Sequence, residues 1–369
     1  MDAVVTTEKT SVRNVIRYSG AFIAFMIGSG FATGQEIMQF FTGYGLYSVG
    51  GILISMFLFA YSGAILMRFG FETKNENINA FKFYCGKIFG SFLEWFIPIF
   101  LFMVVVVMIS GAGATMNQYF GTPQIVGTVI MAALVLITNL FGLQKIVDII
   151  GHLGPITILF TLGIALVALA KNPGGLSGVS DAMARVGELP KATGSTSTWW
   201  LAGILYVAYN VTGSIPFLTE MGKSANNRKE AVLGAFIGGI ALMTSALLLN
   251  LALLSHIEAI AGLEIPNLYL SDLISPAVSF IFSIILILEI FSTASPMMWV
   301  TTRKFGGEEG SKKSRVVLAG LTILALIGGQ LPFGQLVGTV YPYTGYLGIA
   351  VLALIAMKTF IDSRKPKAA

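Results

Sequence analysis

Three stretches of this 369-residue chain place polar or flexible residues inside long apolar surroundings. The first is AFMIGSGFATGQE, with Gly28-Ser29-Gly30, then Gly34 and Glu36. The second is LYVAYNVTGSIPFLTE, with Asn210, Thr212, Gly213, Ser214 and Pro216. Glycine weakens a helix interior by roughly 1 kcal/mol relative to alanine, and proline by about 3. Each cluster therefore marks an expected interruption. An interrupted helix bares peptide N–H and C=O groups, and at membrane depth such backbone is tolerated only where protein packs on it or where it lines a wet cavity. Bared peptide groups are ligands for a polar solute or an ion. In a plainer reading the same glycines are close-packing points between helices. The third stretch, LILEIFSTASPMMW, carries Glu289 beside Ser292 and Thr293. A carboxylate at mid-span is costly and rarely idle. Glu289 is thus a candidate proton or charge carrier, and Glu36 is a second candidate, for a proton or for the ammonium of a solute.

The elements that must position these residues are membrane helices. Hydrophobic residues make up 55% of the chain and charged ones 11%, less than half the charge of a soluble domain at about 25%. Apolar runs of spanning length recur at roughly 14–42, 46–68, 92–119, 123–141, 147–170, 197–222, 230–255, 276–302, 315–330 and 335–359. The mixed segment 78–90, with Lys82 and Lys87, reads as an interfacial helix. The polar stretch 172–196 reads as an external loop with one short helix around Asp181–Val186, and 256–275 as a second structured loop. The first apolar run is too long for a cleavable signal peptide and is expected to be retained.

Cytoplasmic loops carry an excess of lysine and arginine. With the N-terminus inside and the runs alternating, only Lys171, Arg185 and Lys191 of the 23 basic residues fall outside. A wrong helix count would scramble that asymmetry, so ten spans with both termini cytoplasmic are expected. The charges sit in short segments between apolar runs, so the net charge of +5 points to a lipid bilayer as partner and not to nucleic acid. His152 and His256 then lie on opposite sides, which leaves no His-based metal pair, and Cys85 is the single cysteine. No phosphate loop and no nucleophile–base arrangement stands out, so an enzyme is not expected.

Ser29 and Thr212 are 183 residues apart, close to half of 369. The starts of the second and seventh runs (46 and 230) and of the third and eighth (92 and 276) are offset by nearly the same amount. The chain parses as 1–171, an external loop over 172–196, and 197–369 with a cytoplasmic tail. Five helices per half invert the second half relative to the first. Matching interruptions in inverted halves point to a transporter's binding site. A continuous-pore channel fits this plan less well, and no inner segment is long enough for a signalling domain.

The five-plus-five plan, with GSG in the first span and a Gly/Pro cluster in the sixth, resembles the LeuT-type fold of the amino acid–polyamine–organocation superfamily. IGSGFATGQE, with the overall length, resembles the YkvI group, predicted amino acid permeases of bacteria. The resemblance covers essentially the whole chain. It implies an all-α membrane protein with ten spans in a 5+5 inverted repeat, discontinuous helices 1 and 6, and a place in the bacterial plasma (inner) membrane. It implies a small-molecule solute held between the two breaks by the amides of Ser29, Gly30 and Phe31 and of Thr212, Gly213 and Ser214, with Tyr206, Tyr209 and Phe31 closing over it. In sodium-coupled members an ion lies between spans one and eight. Carried over, its ligands are the carbonyls of Ala24 and Ile27, the carbonyl of Glu289 and the hydroxyls of Ser292 and Thr293. Glu289 stands where the family usually has a small residue. Ser292 and Thr293 also fit simple back-bonding to their own helix. Some proton-coupled relatives place a lysine in span five, and 147–170 holds none.

The expectation is a sodium-coupled symporter of an amino acid or similar small zwitterion, with Na+ as coupling ion and no organic cofactor. A proton-coupled permease using Glu289 or Glu36, and a transporter-fold sensor without flux, stay open as alternatives.

Overall fold

A computed structural model describes residues 10–76, 78–141 and 153–364. Lys145, His152 and the first residues of the fifth predicted run lie outside them. The helices are α1 (Val12–Met26), α2 (Ser29–Thr33), α3 (Gln35–Phe40), α4 (Ser48–Glu72), α5 (Ala80–Phe120), α6 (Gln124–Phe141), α7 (Leu153–Lys171) and α8 (Val179–Val186). They continue with α9 (Trp199–Lys223), α10 (Arg228–Ser255), α11 (Ile257–Ile260), α12 (Pro266–Asp272), α13 (Pro276–Gly306), α14 (Lys312–Gly328) and α15 (Phe333–Ser363). Among the described residues seven helices are long and apolar enough to cross a membrane: α4, α5, α6, α9, α10, α13 and α15.

Polar caps set where the apolar helices begin. Ser11, Asn79, Asn227, Ser275 and Ser311 each accept a hydrogen bond from a backbone N–H three residues on, which satisfies a donor that the first turn leaves without a partner. At Gly86 (φ +75°) α5 reverses. Its first turns therefore fold back, so that a Cβ on Gly90 would stand 2.8 Å from the Lys82 backbone. The segments 172–196 and 256–275 contain α8, and α11 with α12, the short helices that the sequence leads one to expect there.

Two sets of helices assemble. In one, α4 packs along α9 and α10, and α1 lies on α10; in the other, α5, α6, α13 and α14 pack on one another. The α4–α9 crossing is the tightest contact in the first set. A Cβ on Gly70 would stand 2.0 Å from the Thr219 carbonyl oxygen, and one on Gly222 would stand 2.1 Å from that of Met67.

The first span is interrupted as expected, twice. Ile27 (φ −82°, ψ 108°) and Gly28 (φ −102°, ψ −178°) are extended, and Gly34 is left-handed (φ +86°). The sixth span is not interrupted, which corrects the expectation of a discontinuous helix 6. α9 runs helical from Trp199 through Asn210–Pro216 to Lys223. The polar side chains that read as breakers fold back onto the helix. Asn210 Nδ2 donates to Tyr206 O (2.9 Å), Thr212 Oγ1 to Ala208 O (2.7 Å) and Ser214 Oγ to Val211 O (3.0 Å).

Candidate functional site

Where α1 stops, its last carbonyls lose their helical partners. Ile23 O is still met by the Ile27 N–H at 2.8 Å, which leaves Ala24 and the residues after it to face other groups. Beside this break is a cavity of about 590 Å³ between the two helix sets. Gly28 and Gly213 border it. A Cβ on Gly28 would meet nothing within 4 Å, and one on Gly213 only the Phe100 ring edge at 3.5 Å. Neither glycine is a point where two backbones press together.

Of the fourteen residues given a binding, ion or proton role in the sequence, the structure brings ten to this cavity: Ala24, Ile27, Ser29, Gly30, Glu36, Tyr209, Gly213, Glu289, Ser292 and Thr293. Four do not reach it. Phe31, Thr212 and Ser214 are fully buried, and Tyr206 sits in an aromatic core with ring centroids 5.4 Å from Phe40, 5.0 Å from Phe41 and 5.9 Å from Phe59. The amides of Thr212, Gly213 and Ser214 belong to an unbroken helix, so they do not form the second set of free donors. The Phe31 N–H is also engaged, with Gly28 O at 3.1 Å.

Among the described residues Glu36 and Glu289 supply the only charged side chains of the lining, with no lysine or arginine beside them. Glu36 lies directly on Gly30: a Cβ there would stand 1.8 Å from Glu36 Oε1. The other carboxylate oxygen accepts from Tyr209 Oη at 2.9 Å, and Tyr209 stacks on Tyr341 (4.8 Å, 6°). Glu289 Oε2 accepts from Thr157 Oγ1 at 3.1 Å. The Ser292 hydroxyl donates to Glu289 O at 2.8 Å, which is back-bonding of the kind foreseen and still leaves its oxygen lone pairs for a cation. Ser29 Oγ donates to Met108 Sδ.

Behind the break, Asn267 on α12 holds the end of α2. Its Nδ2 donates to Ala32 O at 2.8 Å, and its Oδ1 would lie 2.6 Å from a Cβ on Gly34. Gln118 clamps the start of α12 by bonding both the N–H and the carbonyl of Ile265, at 2.9 and 2.8 Å. Outside the spans, burial pushes the Glu264 carboxyl above its usual range, opposed by the N–H groups of Gly334 and Phe333.

Thr157, Asn267, Met108 and Tyr341 escaped the sequence reading. Thr157 and Thr161 form a hydroxyl pair one turn apart in an otherwise apolar run, and Tyr341-Pro342 interrupts the last one; both were visible signals. Met108 and Asn267 carried none.

The fold is that of LeuT-type transporters. A manganese transporter of Eremococcus coleocola, solved as a variant, superposes with a TM-score of 0.55 at 14% identity, over 98% of this chain and 91% of that one. The inward-facing conformation of Mhp1 superposes with a TM-score of 0.56 at 14% identity, over 94% of this chain and 76% of that one. In sequence the chain is 27% identical over 346 residues to the membrane protein YkvI of Bacillus subtilis (strain 168), covering 91% of this chain and 94% of YkvI. It is 22% identical over 353 residues to YyaD of the same organism, 92% and 95% of the two chains. No family model matches. Both resemblances read in the sequence, to the LeuT-type fold and to YkvI, hold, and they set the chain among membrane proteins.

Proposed function

We propose that this protein is a secondary active transporter of the bacterial inner membrane, a sodium-coupled symporter of an amino acid or similar small zwitterion. The observation that carries the reading is the meeting, in one cavity, of the interrupted first span with Glu36 and with the Glu289–Ser292–Thr293 face of α13. The solutes that the two structural neighbours carry are their own; what they lend is a fold associated with alternating access.

In this reading the seven long apolar helices, the broken first span, α7 and α14 make ten spans in two inverted halves, 1–171 and 197–369, with both termini cytoplasmic. The cavity reaches Phe217 and Val300, each on the half of its helix nearest Lys223 or Arg303. It thus opens towards the cytoplasm. Sodium, a hard cation, takes the Ala24 and Ile27 carbonyls, the Glu289 carbonyl and the Ser292 and Thr293 hydroxyls. The solute's ammonium pairs with Glu36. Its carboxylate turns to the Ser29 end of α2.

Uptake into proteoliposomes under a sodium gradient tests this. Ser292→Ala with Thr293→Ala is expected to abolish sodium dependence, and unchanged sodium-driven uptake in the double variant defeats the assignment. A proton-coupled permease is the second reading. It is favoured by two carboxylates in the lining, each bonded to a neutral hydroxyl, Tyr209 or Thr157. Accumulation driven by a pH gradient without sodium, and lost in Glu289→Gln or Glu36→Gln, would select it. Binding without flux would select a sensor.

A further inference from the structure

We propose that the outer groove between α4 and α10 is a binding site for one anionic phospholipid. The groove has a volume of about 600 Å³ and shares no lining residue with the cavity at the break. Phe57 and Tyr61 form one wall, stacked at 6.0 Å and 10°, and Leu233 and Phe236 form the other. Phe57 is 67% exposed and Phe236 45%, so the groove faces out of the protein along its apolar flank. Ala60 and Ala64 leave the floor low enough for an acyl chain.

Both ends of the groove are defined. At one end the two helices touch backbone to backbone, where a Cβ on Gly239 would stand 2.7 Å from Ala60 N. At the other, Arg68, Arg228 and Lys229 converge. Glu72 bridges the two arginines at 2.7 and 3.1 Å. Lys229 is exposed and enters no ion pair among the described residues. Three cations against one carboxylate leave two positive charges at the mouth of an apolar slot. That arrangement matches a phosphodiester headgroup whose acyl chain lies along the aromatic walls. Basic residues between spanning helices at a membrane surface recognise anionic lipid in this way. A choline headgroup would bring a fourth cation to the same place, and free phosphate would make no use of the walls.

Native mass spectrometry and thermal unfolding of the full chain in detergent test the site with three probes: phosphatidylglycerol, phosphatidylcholine with the same chains, and glycerol phosphate. Phosphatidylglycerol is expected to stay bound and raise Tm, phosphatidylcholine to bind about tenfold more weakly, and glycerol phosphate to do neither. Arg228→Gln with Lys229→Gln should weaken phosphatidylglycerol binding about thirtyfold, roughly fivefold per cation. Ala64→Trp should block the slot while leaving the cations in place, and Phe57→Ala, at an exposed position, should weaken binding if the tryptophan variant does not fold. Equal binding of the two lipids, phosphatidylglycerol binding that survives both kinds of substitution, or stabilisation by glycerol phosphate alone would each overturn the proposal.

Discussion

Gly30 and Glu36 are six residues apart and act as one unit. Gly30 lacks a side chain because the Glu36 carboxylate occupies that space, and Tyr209 fixes the carboxylate from the other side. Gly30→Ala is expected to push the carboxylate off Tyr209 at a cost of about 1–3 kcal/mol, the usual range for overpacking a filled interior. In a Glu36→Ala background the same substitution should be nearly free. Thermal unfolding of the four members of this cycle checks the pair, and a coupling near zero would mean that the two residues do not meet. At the same scale, Ser292 shows that a hydroxyl can satisfy its own helix and still face a cavity, so its back-bond does not separate a structural role from an ion-binding one.

Among the elements, α2 is a single turn and a half that cannot hold itself. It is kept in place by Gly34, which supplies a left-handed turn, and by the Asn267 amide on the Ala32 carbonyl. Asn267→Ala should cost about 1–3 kcal/mol, as for a buried acceptor left unmet. Asn267→Asp keeps the shape but removes the donor and should be at least as harmful. A melting temperature unchanged in both variants would show that α12 does not secure the break. The comparison of α2 with α9 also measures how far the sequence could be read. Gly28-Ser29-Gly30 signalled a break, and the break is there. Asn210–Pro216 gave an equally strong propensity signal, yet a few kcal/mol of preference is a weak prior against packing on both flanks, and three side chains return their polar groups to the ladder. Apolar run lengths fixed most helix positions to within a few residues. They could not fix helix rotation, which is why Met108 and Tyr341 emerged as lining and why Tyr206, three residues before Tyr209 on the same run, went into the core instead.

At the scale of the whole molecule, sequence halves and packing sets are different partitions. α4 comes from the first half and α9 and α10 from the second, yet they pack together, while α5 and α6 join α13 and α14. The site lies where the two sets face each other. The α4–α9 crossing is held by reciprocal glycine contacts at Gly70 and Gly222. Gly70→Ala places a methyl against a backbone carbonyl that cannot swing aside, so destabilisation of at least about 1–3 kcal/mol is expected. Gly20→Ala, at a position with nothing within 4 Å of the added carbon, should be close to silent in the same unfolding measurement. Equal melting temperatures for the two would show that the crossing is looser than described. Rods welded at such a joint cannot slide or roll on each other. In the proposed transport cycle a clamp engineered across α4 and α9 is expected to leave uptake unchanged, and one across the first span and α13 to abolish it.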